Sequence, residues 1–131
     1  MKKTNIEIIK TYFDHFLKGD KEKVFEMLSN EVVWSVKGSD NVPTVGQRKG
    51  IEEINSFIEN FQANFQPKDF NILYYFEQEN KVFAIGNFTH FVIPTQREIS
   101  SDFMIEFVVE DGKICSYKIL EDSYALYLAF K

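Results

Sequence analysis

The chain has 131 residues, 44% hydrophobic and 27% charged, which is the size and composition of one folded domain and excludes a largely disordered chain. Fifteen Lys and Arg against twenty Asp and Glu give a net charge of −5, which excludes the basic stripe of a counterion-release nucleic-acid binder and disfavours anionic membrane surfaces. One cysteine, Cys115, excludes an intramolecular disulfide framework and a Cys-rich zinc site.

The N-terminal stretch MKKTNIEIIKTYFDHF has charged residues interrupting its apolar run, so it does not read as a signal peptide, and a cytoplasmic protein is the expectation. Ile6, Ile9, Phe13, Phe16 and Leu17 recur at helical spacing, with Tyr12 beside the stripe. Gly19 ends this helix as a C′ residue, and Asp20 is the N-cap of a shorter helix carrying Val24, Phe25 and Leu28. Glu31-Val-Val-Trp-Ser-Val-Lys37 is rich in β-branched and aromatic residues and reads as a strand. Gly38 to Gly50 is punctuated by Gly, Ser, Asp, Asn and Pro and reads as a loop. A third helix carries Ile54, Phe57, Ile58, Phe61 and Phe65 on one face, with Pro67 as its stop.

Beyond it the period becomes two. Asp69–Gln78, Lys81–Ile93, Glu98–Glu110 and Lys113–Glu121 read as strands, with a tight turn at Asn80 and a hairpin at Asp111-Gly112. Ser123–Phe130 reads as a final helical turn. Short turns force antiparallel pairing, long strands curl, and the three helices are left to cover one sheet face. The fold class expected is α+β: a curved antiparallel sheet wrapped around three helices of the N-terminal half, a cone-like (cystatin-like) roll with an internal pocket, all in one domain spanning 1–131.

The order of the elements and three local patterns resemble the nuclear transport factor 2-like superfamily, and within it the SnoaL-like polyketide cyclase and ketosteroid isomerase branch. The patterns are Tyr12-Phe13 with Gly19-Asp20, Val24-Phe25, Leu28 and Trp34; Gly46 with Gly50-Ile51; and Phe107-Val-Val-Glu-Asp-Gly-Lys-Ile114 followed by Glu121-Asp122. The resemblance implies a cone with a deep, mostly apolar pocket and a homodimer through the outer sheet face. It implies no single activity. Enzymes of this kind work by acid–base chemistry with carboxylates inside the cone. The positions that match an isomerase's base and its protonated oxyanion-hole Asp hold Val36 and Ile105, while its phenol is retained as Tyr12. The position matching the cyclases' Asp on the last strand holds Ile119.

The residues themselves leave several candidates. Aromatics make up 16% of the chain, and they either fill a core or wall a pocket. His90 is the general base by residue type, but both faces of its strand look apolar, so alternation does not say where it points. Glu121 shares a strand face with Tyr117 and Ile119 and becomes a rim acid or base if that face is inward. The expected ligand-binding set is Tyr12, Phe16, Trp34, Phe57, Phe61, Phe103, Ile105, Tyr117 and Ile119, with Asn87 or Glu121 as a partner for the Trp34 indole. The two histidines, His15 and His90, lack metal-site spacing, and no phosphate-binding loop or serine elbow is present, so neither metal nor cofactor is expected.

Three functions follow from this reading. The first is a binder of a small hydrophobic molecule in an aromatic-lined cone. The second is an isomerase-, cyclase- or hydrolase-type enzyme using His90 or Glu121. The third is a dimeric interaction module with a filled cone. The outer face carrying Met104, Val108 and Leu120 suits a homodimer interface.

Overall fold

The computed structural model describes residues 3–131; the first two residues of the N-terminal stretch lie outside it. Helix α1 (Asn5–Leu17) starts at Thr4, whose hydroxyl accepts from the Glu7 N–H while the Glu7 carboxylate accepts from the Thr4 N–H, both at 3.2 Å. It buries Ile8, Ile9, Tyr12 and Phe13. The buried stripe is therefore rotated from the expected one, and Leu17 is 52% exposed. Gly19 follows at φ +75°, and Asp20 caps α2 (Lys21–Glu26) by accepting from the Lys23 N–H.

Strand β1 (Leu28–Val36) begins three residues earlier than the composition suggests. The expected loop after it contains a short strand, β2 (Gly46–Lys49), paired antiparallel with β1. Gly-Gln-Arg-Lys has neither β-branched residues nor apolar alternation, so the sequence carries no signal for it. Arg48 on β2 pins the preceding loop: its guanidinium donates to the carbonyls of Pro43, Thr44 and Gly46 and lies 5.1 Å from the centre of the Phe57 ring.

Helix α3 (Gly50–Asn64) ends before Pro67 is reached. At Phe65 the backbone turns extended, and β3 (Phe65–Gln78) begins at once. Pro67 is thus a strand residue, tolerated because β3 is the outermost strand. Strands β4 (Lys81–Val92), β5 (Arg97–Glu110) and β6 (Lys113–Glu121) continue as an antiparallel meander. Helix α4 (Ser123–Ala129) is capped by Asp122, which accepts from the Ala125 N–H at 3.0 Å.

The six strands lie in the order β2-β1-β6-β5-β4-β3. The pair β1–β6 is parallel, which makes the sheet mixed rather than wholly antiparallel. No short turn constrains that pair, since most of the chain lies between its strands. The fold is an α+β cone whose sheet curves around the helices without closing.

Alternation fixes the inner face. On β4 it holds Val82, Ala84, Phe88, His90 and Val92; on β5, Ile99, Phe103, Ile105, Phe107 and Val109, all buried. Rings from α1 meet it directly, with Tyr12 and Phe13 edge-on to Phe107 at 5.5 and 5.7 Å. Gly86 has a steric reason to be glycine: a Cβ there would stand 1.9 Å from the Asn71 carbonyl oxygen, where β3 bulges against β4. Among the described residues no helix is long and apolar enough to cross a membrane.

Candidate functional site

The helices do not fill the cone. A hollow of about 630 Å³ remains between α1, α3, the inner sheet face and α4, in the size range of small-molecule sites. From the helices, Tyr12, Phe13 and Phe16 of α1 and Phe57 and Phe61 of α3 face it, and Leu126 of α4 closes one side. From the sheet come Val36, Phe88, His90, Ile105, Tyr117, Ile119 and Glu121.

The hollow gathers most of the residues singled out by sequence, including both proton-carrying candidates. Trp34 and Phe103 do not line it. Trp34 is fully buried one layer back, stacked on Tyr117 with ring centres 3.8 Å apart and planes 4° apart. Phe103 is covered by Phe70, stacked at 5.1 Å, and by Phe88. Among the described residues the Trp34 indole N–H has no partner; Asn87 stands on the outer face, where it accepts from the Asn71 amide at 3.0 Å. Phe88, Thr44 and Leu126 also line the hollow and were not among the expected residues. Phe88 was legible as the residue two before His90 on the same face. Thr44 and Leu126 come from a loop and a terminal helix, where periodicity has nothing to say.

His90 is buried among rings: the Phe88 ring stacks on it at 4.2 Å, and Phe61 and Phe65 lie 5.5 and 5.4 Å away. Burial lowers its pKa to about 4, so at neutral pH it is an uncharged imidazole. Among the described residues its Nδ1, buried away from the hollow, has no hydrogen-bond partner. Glu121 moves the other way. Burial raises its carboxyl to about 7, so protonated and ionised forms coexist near neutrality. Burial also holds the Tyr12 and Tyr117 phenols above the usual tyrosine range, and both stay protonated. Val36, Ile105 and Ile119, at the positions where the resemblance places carboxylates, all face the hollow as hydrocarbon.

Among the described residues no group of three or more His, Cys, Asp or Glu is placed to hold a metal ion. Cys115 lies outside the hollow and is half-buried, with its thiol 3.4 Å from the Val108 carbonyl.

The profile of the SnoaL-like domain family matches residues 9–117. The chain belongs to the SnoaL-like domain family. No curated protein sequence matches this SnoaL-like chain. Solved structures do. An NTF2-like protein from Burkholderia xenovorans superposes with a TM-score of 0.90 at 21% identity, covering 97% of this chain and 95% of that one. An NTF2-like protein from Burkholderia thailandensis gives 0.88 at 14% identity, with 99% of each chain covered. TerC, co-crystallised with polyporic acid, gives 0.85 at 19% identity, covering 96% of this chain and 97% of that one. At these identities the likeness is one of fold.

Proposed function

We propose that this SnoaL-like domain binds a small hydrophobic, ring-bearing molecule inside the cone, and that it does so without the carboxylate chemistry of the family's enzymes. The observation that carries this reading is the hollow of about 630 Å³ walled by Tyr12, Phe16, Phe57, Phe61 and Tyr117. Flat rings stack on such walls, and burial of apolar surface supplies the affinity. That one neighbour in fold, TerC, was co-crystallised with polyporic acid supports a small-molecule reading. Val36, Ile105 and Ile119 supply no proton carrier, and the open interior weighs against a filled interaction module.

Calorimetric titration with 2-naphthol tests the reading. At about 0.5 kcal/mol per heavy atom, the dissociation constant falls on the order of 100 μM. Ile119→Trp places an indole in the hollow, and binding is expected to drop at least tenfold while the fold persists. Undiminished binding in a folded Ile119→Trp variant would exclude the hollow as the site.

A second reading, an acid–base enzyme on the same cone, is favoured by one feature: a carboxyl with a pKa of about 7 in an apolar hollow is suited to both giving and taking a proton. Glu121 is then the proton carrier rather than His90, whose conjugate acid at about 4 makes it a weak base. Glu121→Gln separates the readings: an enzyme loses turnover of any ligand found, and a binder loses nothing but one contact.

We also propose a homodimer through the outer sheet face. Strand register lines up Tyr74, Ile85, Met104 and Leu120 as one apolar row across β3, β4, β5 and β6.

A further inference from the structure

Strand register sets the two polar groups of the inner sheet face apart. Glu121 on β6 faces Phe103 on β5, which faces Gly86 on β4, and His90 lies four residues beyond Gly86. The two side chains are therefore two strand spacings apart across the sheet and four residues apart along it, about 10 Å by about 13 Å. Both reach inward from a concave surface, which leaves on the order of 10 Å between their polar atoms. Phe88, Ile105 and Ile119 also line the hollow, and all are hydrocarbon.

Each end lacks something. His90 is only 5% exposed and its ring is held by Phe88, Phe61 and Phe65; its Nδ1 is closed off from the hollow, which leaves Nε2, unpaired among the described residues, as the nitrogen a ligand can reach. Once a ligand covers that nitrogen, leaving it unpaired costs about 1–3 kcal/mol. At the other end, burial alone governs the Glu121 proton, with no cation or donor among the described residues acting on it. A ligand with one polar end would leave the other group facing hydrocarbon.

We propose that the hollow is a two-ended clamp that selects a flat, two-ring molecule with an oxygen at each end, one a hydroxyl donating to the His90 imidazole and the other hydrogen-bonded to the Glu121 carboxyl. This deepens the binding reading above and rests on it. Neither end needs a charged ligand. His90 is neutral and accepts, and a carboxyl that is partly protonated at neutral pH both accepts and donates. The rings lie on the apolar floor, and the separation of the ends sets their number: one ring is too short and a long chain too floppy.

The test uses three naphthalenes of nearly equal ring area: 2-naphthol, naphthalene-2,3-diol and naphthalene-2,6-diol, titrated by calorimetry at pH 7. The 2,6-diol carries its hydroxyls at opposite ends and is expected to bind at least tenfold tighter than both others, the value of one satisfied buried group. His90→Phe keeps a ring in the stack and is expected to bring the 2,6-diol down to the affinity of 2-naphthol. Glu121→Leu does the same from the other end, while Glu121→Gln retains at least part of the advantage. Should His90→Phe fail to fold, His90→Leu, smaller and without an acceptor, takes its place. Equal affinity for the 2,3- and 2,6-diols, or a preference that survives both end variants, overturns the clamp and leaves the cavity reading standing. Absence of binding by all three removes both.

Discussion

His90 and Glu121 share one hollow, and burial pushes their protons in opposite directions, with a consequence for stability. An unfolded glutamate titrates near 4.5, and the folded Glu121 near 7. Its folded pKa is raised, so its contribution is complete below 4.5 and is lost as pH rises towards 7. An unfolded histidine titrates near 6.5, and the folded His90 near 4. Its folded pKa is lowered, so its contribution is complete above 6.5 and is lost as pH falls towards 4. Between 4.5 and 6.5 the two slopes, each about 1.4 kcal/mol per pH unit, oppose one another and nearly cancel. Single substitutions separate them. Relative to the parent protein, Glu121→Gln is expected to gain up to about 3 kcal/mol as pH rises from 4.5 to 7, because the gain removes a penalty that only ionisation creates. His90→Phe is expected to gain a similar amount as pH falls from 6.5 to 4. Urea unfolding followed through Trp34, the only tryptophan, measures both differences. Difference curves flat across this range would mean that neither group is buried as described.

At the scale of the elements, two glycines make contrasting demands. Gly86 lies in β4 with the Asn71 carbonyl 1.9 Å from where a Cβ would be, and that carbonyl is backbone, which cannot swing aside. Gly86→Ala is expected to cost about 3 kcal/mol, the upper range for overpacking, and to pry β3 from β4. Gly19 has a positive φ of +75° but open space around it, so Gly19→Ala is expected to cost only about 1 kcal/mol. Chemical denaturation of both variants gives the ranking; equal costs would refute the steric account of Gly86. These elements also mark what a sequence reader sees. Helices α1 and α3 and strands β5 and β6 announce themselves through period and turn residues, since each has one buried and one wet face, and β4, apolar on both sides, does so through its β-branched and aromatic content. Three things stay hidden because their cause is tertiary. Strand β2 exists only because β1 offers an edge. The parallel β1–β6 pair joins segments that are distant in sequence. Helix α3 stops because the backbone at Phe65 is drawn into the sheet, two residues before the proline that reads as its terminator. The hollow was legible to the same extent. Rings at inward positions implied a wall, but the direction of His90 depended on strand register, and the layering that hides Trp34 behind Tyr117 depended on stacking.

At the scale of the whole molecule, the outer sheet face is the large surface that the helices leave uncovered. Tyr74, Met104 and Leu120 in its apolar row are 59%, 39% and 47% exposed, and Phe76 beside them is 57% exposed. One flanking row, Asn71, Asn87 and Asp102, is polar; the other extends the apolar patch with Phe76 and Phe83 and then turns polar at Glu106 and Lys118. An apolar centre with a polar rim is the make-up of a protein interface, and a single such patch is self-complementary about a two-fold axis. The proposed homodimer therefore predicts sedimentation at twice the chain mass of 15.4 kDa at micromolar concentration. Met104 sits mid-row between Ile85 and Leu120, so Met104→Lys buries a cation in both halves of a symmetric contact. Self-association is expected to weaken at least tenfold. Glu98→Lys, also on β5 but at the far end of the outer face opposite Phe91, is the matched control and is expected to leave the dimer intact. Because the hollow opens on the opposite side of the sheet, the Met104→Lys monomer is expected to bind 2-naphthol with unchanged affinity. A parent chain that sediments as a monomer, or a Met104→Lys variant that still dimerises as tightly, excludes this face as the contact.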